Sequence, residues 1–283
     1  MKLQARGLMG NPFDGLPSTS VRWGRHACGE NGYLLANTSS VGGTLSWMWG
    51  AGHDFLERHM RHPEEKNDTA ALEFSLDGKH LYSAGSDKNI RVYDVETKQL
   101  VHVLNKGVGE DGSLRNAHAN RIFSLKFVSP TSFISGGWQS PIQIWDVRTG
   151  KAERQVSGAH PSSDCLEPVL GTTRFLCCSG RPNDQIQVFD FVAAREIPEE
   201  SAKINKACGG SQIVSISLRP ETGTLWAAAI KPNSEVLQID ARTGELKDKV
   251  PCKQQLMKLV TSPHMPKRCI AGAMNETTYV IDE

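Results

Sequence analysis

The same order of apolar and polar positions returns along the chain. Ser83-Ala-Gly-Ser-Asp-Lys-Asn-Ile-Arg-Val-Tyr-Asp94 aligns without a gap on Ser135-Gly-Gly-Trp-Gln-Ser-Pro-Ile-Gln-Ile-Trp-Asp146. Ser179 to Asp190 is a third ungapped copy, and weaker copies end at Trp49, Asp240 and Asp282. The successive ends lie 45, 52, 44, 50 and 42 residues apart. A period in this range marks one supersecondary unit used repeatedly, here six times.

Each copy reads as a hairpin. A small residue opens it (Thr38, Ser83, Ser135, Ser179, Ala229, Ala271) and a polar turn follows, with Asp87, Gln139 and Asn183 among its residues. The second strand carries Ile90 and Val92, Ile142 and Ile144, and an apolar residue before the final aspartate, so both of its faces are expected to be buried. A second turn, as in Asp146-Val-Arg-Thr-Gly150, leads to a polar edge strand such as Lys98 to Leu104 or Glu245 to Val250. Short strands precede each hairpin at 71–75, 122–128, 213–218 and 256–260. Every unit is therefore four strands, a to d, and no stretch between units demands a helix.

Val92-Tyr-Asp94, Ile144-Trp-Asp146 and Val188-Phe-Asp190, with His118 lying 28 residues before Asp146, resemble the WD-repeat β-propeller family. The resemblance implies an all-β fold: a closed propeller of six four-stranded blades, one domain over residues 1–283. Repeat ends fall near 49, 94, 146, 190, 240 and 282, and Met1 to Gly10 would supply the strand that the last unit lacks. A seventh, irregular blade is the alternative. The family also links a His before strand a, a Ser or Thr in strand b, a turn Asp and a strand-c Trp by hydrogen bonds. Unit three has His118, Ser135 and Trp145 but Gln139 in the turn, whereas unit two has Ser83 and Asp87 but no matching His.

Charge and cysteine usage narrow the setting. Lys and Arg number 32 against 31 Asp and Glu, so the chain is not a strongly basic nucleic-acid coat. No stretch approaches the ~20 apolar residues of a membrane span, and the N-terminus lacks a signal-type apolar core. Seven irregularly spaced cysteines read as free thiols in a reducing compartment, cytoplasm or nucleus.

Catalytic signals are weak. His53, His59 and His62 cluster in the sequence, but His59 and His62 lie three apart on an expected strand and would face opposite ways. Cys177 and Cys178 are neighbours on another strand and read as small core residues. No nucleophile elbow, HExxH or phosphate-binding loop occurs. No catalytic residue, metal ligand or cofactor is expected. A metal-dependent propeller hydrolase is the minor alternative, and the inner-strand entries show no acidic ring for it.

The resemblance implies that b–c turns and the entries to strand a share the face around the channel mouth. Asp68, Arg121, Phe123, Asp164 and Gln255 enter there, and Trp138 sits one residue before the turn position of unit three. An exposed Trp beside Phe and Arg suits a binding hot spot, while the competing reading folds Trp138 over Pro141. Asp68 and Asp164 would suit a basic side chain of a partner peptide. Insertions at 105–116 and 197–210 reach the same face. The expected role is a monomeric, non-enzymatic scaffold for a protein or peptide partner, without direct nucleic-acid contact. A nucleic-acid-associated adaptor or a reader of modified basic residues is the alternative.

Overall fold

A computed structural model describes residues 18–24, 32–39, 44–50, 57–109, 111–138, 140–159, 161–179, 181, 183–219, 221–262, 265–274 and 277–282. They form six small, mainly antiparallel sheets. The first holds β1 (Ser18–Gly24), β2 (Gly32–Ser39), β3 (Thr44–Gly50) and β4 (Glu57–His62). The second holds β5 (Thr69–Phe74), β6 (His80–Gly85), β7 (Ile90–Asp94) and β8 (Leu100–Leu104).

The insertion at 105–116 folds as a hairpin of β9 (Lys106–Val108) and β10 (Leu114–Asn116). In the third sheet it adds to the outer edge of β11 (Ile122–Ser129), β12 (Ser132–Gly137), β13 (Ser140–Asp146) and β14 (Lys151–Val156). β9 runs parallel to β14, opposing Gly107 to Ala152. A Cβ on Gly107 would come within 3.3 Å of the Ala152 Cβ, so the bare backbone permits the approach.

The fourth sheet is β15 (Pro161–Pro168), β16 (Arg174–Ser179), β17 (Ile186–Asp190) and the two-residue β18 (Arg195–Glu196). The insertion that follows is not a loop but α1 (Pro198–Cys208). Pro198 opens it, Glu199 and Glu200 occupy its first turn, Lys206 its last, and Gly209 closes it in the left-handed region at φ 58°. The helix takes over the edge of β17. The Asn205 side-chain amide donates to the Ile186 carbonyl at 2.7 Å and accepts from the Ile186 N–H at 3.0 Å, while Ser201 Oγ accepts from the Val188 N–H at 2.9 Å.

The fifth sheet is β19 (Gln212–Arg219), β20 (Thr224–Lys231), β21 (Glu235–Asp240) and β22 (Leu246–Pro251). The sixth has three strands, β23 (Leu256–Ser262), β24 (Met265–Ala273) and β25 (Thr278–Asp282). Met1 to Gly10, expected to complete it, lie outside the described residues. No described helix is long and apolar enough to cross a membrane.

The third strands end at Gly50, Asp94, Asp146, Asp190, Asp240 and Asp282, within a residue of each repeat end. Four of these aspartates recur for a local reason: each caps the turn after its strand. Asp94 accepts from the Thr97 N–H at 2.6 Å, Asp146 from Arg148, Asp190 from Val192 and Ala193, and Asp240 from Arg242 and Thr243. Asp282 instead pairs with Arg268.

The chain forms two compact units, residues 1–137 with 143–153 and residues 138–142 with 154–283. In the first, Leu34, Ala36, Leu72, Phe74 and Leu81 make one core cluster. A second gathers Tyr82, Phe127, Phe133 and Trp145, the last two stacked 5.5 Å apart. In the other unit Trp226, Leu256, Leu259, Cys269 and Ala271 pack together. The expected burial of strand c on both faces is seen in β13 and β17. The outer strands are largely exposed, but β8 departs from the expected polar edge: Leu100, Val101 and Val103 stand in solvent.

Candidate functional site

The entries to strand a meet the b–c turns within individual sheets. In the second sheet Asp68 donates its N–H to Ser86 Oγ at 2.8 Å, and its carbonyl accepts from the Ser86 N–H at 3.1 Å. In the sixth, the Gln255 carbonyl accepts from the Met274 N–H at 2.9 Å. In the third, the Arg121 carbonyl lies against Gly137, where a Cβ would come within 2.3 Å of it. Gly85 stands the same way against the Asp68 carbonyl, at 2.1 Å. Glycine two residues after the strand-b serine is what lets strand a close on the turn.

The side chains differ in availability. Asp68 and Gln255 are exposed, and Arg121 and Phe123 are half-buried. Trp138 leaves 53% of its surface in solvent. Asp164 is already engaged: Lys258 Nζ lies 3.0 Å from its carboxylate and 2.6 Å from its carbonyl. Asp68, Arg121 and Phe123 belong to the first compact unit; Trp138, Asp164 and Gln255 belong to the second.

Behind the entry in the third sheet lies the expected hydrogen-bonded line. Trp145 Nε1 donates to Ser135 Oγ at 2.7 Å, and Ser135 Oγ lies 2.6 Å from His118 Nε2. The serine hydroxyl accepts from the indole and keeps both a second lone pair and its own proton, so the imidazole tautomer sets which way the Ser135–Nε2 bond runs. Burial pushes the His118 pKa down to about 4.

The second sheet solves the same problem without a histidine. Glu64, 3% exposed, fills that place and was missed in the sequence. Its carboxylate accepts from Asn67 at 2.6 Å, Thr69 at 2.9 Å, Tyr93 at 2.7 Å and also from Ser83. Arg91 lies 3.5 Å away and is itself held by Asp87. Burial, together with the Glu64 charge, raises the Tyr93 phenol.

Inner strands are also tied across sheets. Glu73 on β5 pairs with Arg22 on β1 at 3.3 Å and with Lys126 on β11 at 3.2 Å. In the other unit Glu167 accepts from the Leu218 N–H, and Ser217 meets Thr261 at 2.9 Å.

Among the described residues no group of three His, Cys, Asp or Glu is placed to hold a metal ion. His53 lies outside them, and His62 stacks on Tyr93 with Nε2 3.0 Å from the Lys98 carbonyl. Cys177 and Cys178 are buried: the first interacts with Cys165 and the second donates to the Ile213 carbonyl. Both thiols are raised well above the ordinary range, Cys177 chiefly by hydrogen bonding to Cys165 and Cys178 by burial.

No protein-family model matches the chain. Over 169 residues, 59% of the chain, it is 27% identical to the transcriptional corepressor LEUNIG_HOMOLOG of Arabidopsis thaliana, covering 19% of that protein. It is 28% identical over 123 residues to WD repeat-containing protein 55 of the same plant, covering 41% of the chain and 32% of the relative. It is 33% identical over 78 residues to guanine nucleotide-binding protein subunit beta-5b of Danio rerio, covering 27% and 17%. The chain thus spans less than a third of the length of each of these relatives. The sixfold repeat, the small antiparallel sheets, the His118–Ser135–Trp145 line and these relatives agree in one respect: the chain is distantly similar to WD-repeat proteins.

Proposed function

We propose that the chain is a non-enzymatic interaction scaffold that binds a segment of a partner protein at the b–c turn ends of its blades. In this reading the six sheets close into one propeller domain over residues 1–283, and the N-terminal residues complete the sixth blade. The partner would be met around the channel mouth, in the cytoplasm or nucleus. Asp68, Arg121, Phe123, Trp138 and Gln255 offer the contacts, and Asp164 enters as the partner of Lys258 rather than as a spare charge.

The observation that carries the proposal is the exposure of Trp138 at 53%, directly after Gly137, whose place against the Arg121 carbonyl leaves no room for a side chain. Exposed large aromatics of this kind are the usual anchors of protein interfaces. The test is affinity capture followed by mass spectrometry, with wild type and a Phe123→Ala/Trp138→Ala variant of unchanged circular dichroism. A partner retained by the wild type and lost by the folded variant supports the site. Identical partner sets with both proteins reject it.

A further inference from the structure

The outer strands differ in how their free edges are protected. β14 is covered by the parallel strand β9, and β17 by Ser201 and Asn205 of α1. β4 carries Arg61, and β22 carries Lys247, Asp248 and Lys249. Such charges oppose the addition of another strand. β8 reads Leu-Val-His-Val-Leu, has no Lys, Arg or carboxylate, and has no strand on its outer edge among the described residues.

Beside this edge lies an open groove of about 290 Å³, wholly within the first compact unit. Tyr82 and Val92 line its buried part, and Val103, Leu104 and Val147 add apolar wall. Its charged groups are all cationic: Lys106, Lys151 and Arg148, with His102 alongside. Arg148 is paired with Asp146 at 2.7 Å. Lys106 donates only to the Asn116 amide oxygen, and neither it nor Lys151 meets a carboxylate among the described residues. The groove therefore presents apolar surface, spare positive charge and a bare strand edge together.

We propose that this groove is a second docking site, which takes an extended acidic segment of a partner protein as a strand added to β8. Antiparallel pairing to β7 engages alternate backbone groups of β8 and leaves the others facing outward. An incoming strand would satisfy them. Its apolar residues would cover Leu104 and Val147, and its carboxylates would meet Lys106 and Lys151. The chain already uses this geometry once, where β9 lies along β14.

The experiment is fluorescence anisotropy on the full chain with a labelled peptide that alternates glutamate and valine. Saturable binding is expected, falling at least about tenfold when lysine replaces the peptide's glutamates, and about tenfold in Lys106→Glu/Lys151→Glu. Methylating alternate backbone amides of the peptide should abolish it, because strand pairing needs those N–H groups. Both lysines are exposed, so the substitutions spare the core. Phe123→Ala/Trp138→Ala should leave the affinity unchanged, separating this site from the one proposed above. Equal binding of the lysine peptide, indifference to Lys106→Glu/Lys151→Glu or to methylation, or no saturable binding would overturn it. So would a concentration-dependent dimer abolished by Val103→Lys, which would assign the edge to a second copy.

Discussion

The phenol of Tyr93 donates to the buried carboxylate of Glu64 at 2.7 Å, across 29 residues of sequence. In the neighbouring repeat the same two places are held by Trp145 and His118, joined through Ser135. Both arrangements tie strands b and c to the segment before strand a. One does it with a neutral imidazole, the other with a carboxylate that gathers four hydrogen-bond donors.

Removing the carboxylate should therefore cost more than removing one hydrogen bond. Glu64→Ala strands Asn67, Thr69, Ser83 and Tyr93 and leaves Arg91 with Asp87 alone. Urea unfolding should show a loss of about 3–5 kcal/mol, as when one partner of a buried ionic cluster is deleted. Glu64→Gln retains an acceptor and should lose less. A cycle with Tyr93→Phe should return a coupling of about 1–2 kcal/mol; additivity would show that the pair does not interact.

His118 gives the fold an acid sensitivity. Its pKa is about 4 when folded, because of burial, against about 6.5 unfolded. The unfolded chain therefore binds a proton that the folded one refuses between these values. This contribution to stability is full above pH 6.5 and is lost progressively as pH falls toward about 4, by a few kcal/mol in all. Urea midpoints for wild type and His118→Gln, measured from pH 7.5 down to 4.5, should converge as the wild type weakens. Parallel curves would mean that the imidazole is not excluded from protonation.

The repeat columns were legible because each has a local physical cause. Asp94, Asp146, Asp190 and Asp240 cap turns, Ser83 and Ser135 meet the strand-c phenol and indole of their repeats, and apolar alternation marks strand c. The strand-a entries followed from the same alignment, and Asp68 and Gln255 do stand exposed beside their turns. Glu64 was not legible: His62-Pro-Glu-Glu-Lys-Asn-Asp68 reads as a solvated polar run, and only donors from three separate segments make burial of the acid tolerable. Nor could sequence spacing show that Asp164 would be neutralised by Lys258, 94 residues later. For α1 the signal was present in Pro198-Glu-Glu, but family geometry favoured a loop.

Gly85 and Gly137 should tolerate no side chain. A Cβ would lie 2.1 Å from the Asp68 carbonyl in one case and 2.3 Å from the Arg121 carbonyl in the other. Backbone must move, which separates strand a from the turn. Each Gly→Ala change should cost about 3 kcal/mol or more in chemical denaturation. Gly171→Ala is the control: nothing lies within 4 Å, and only its φ of 78° opposes alanine, so about 1 kcal/mol is expected. Equal costs at all three positions would refute the close approach.

The last prediction concerns the helix that stands in for a strand. Asn205 both donates to and accepts from the Ile186 backbone, as a paired residue on a neighbouring strand would. Asn205→Ala should leave the Ile186 N–H and C=O without these partners, at about 1–3 kcal/mol. Asn205→Asp keeps an acceptor for the N–H but no donor for the carbonyl, so its loss should be intermediate. Hydrogen exchange distinguishes this local role from general destabilisation. The Ile186 amide should exchange faster in Asn205→Ala, and in Asn205→Asp it should stay near the wild-type rate. Val188, held by Ser201, should respond less in both. Uniform acceleration across β16 and β17 would instead mean that α1 supports the sheet by packing, with its side chains contributing no strand-like pairing.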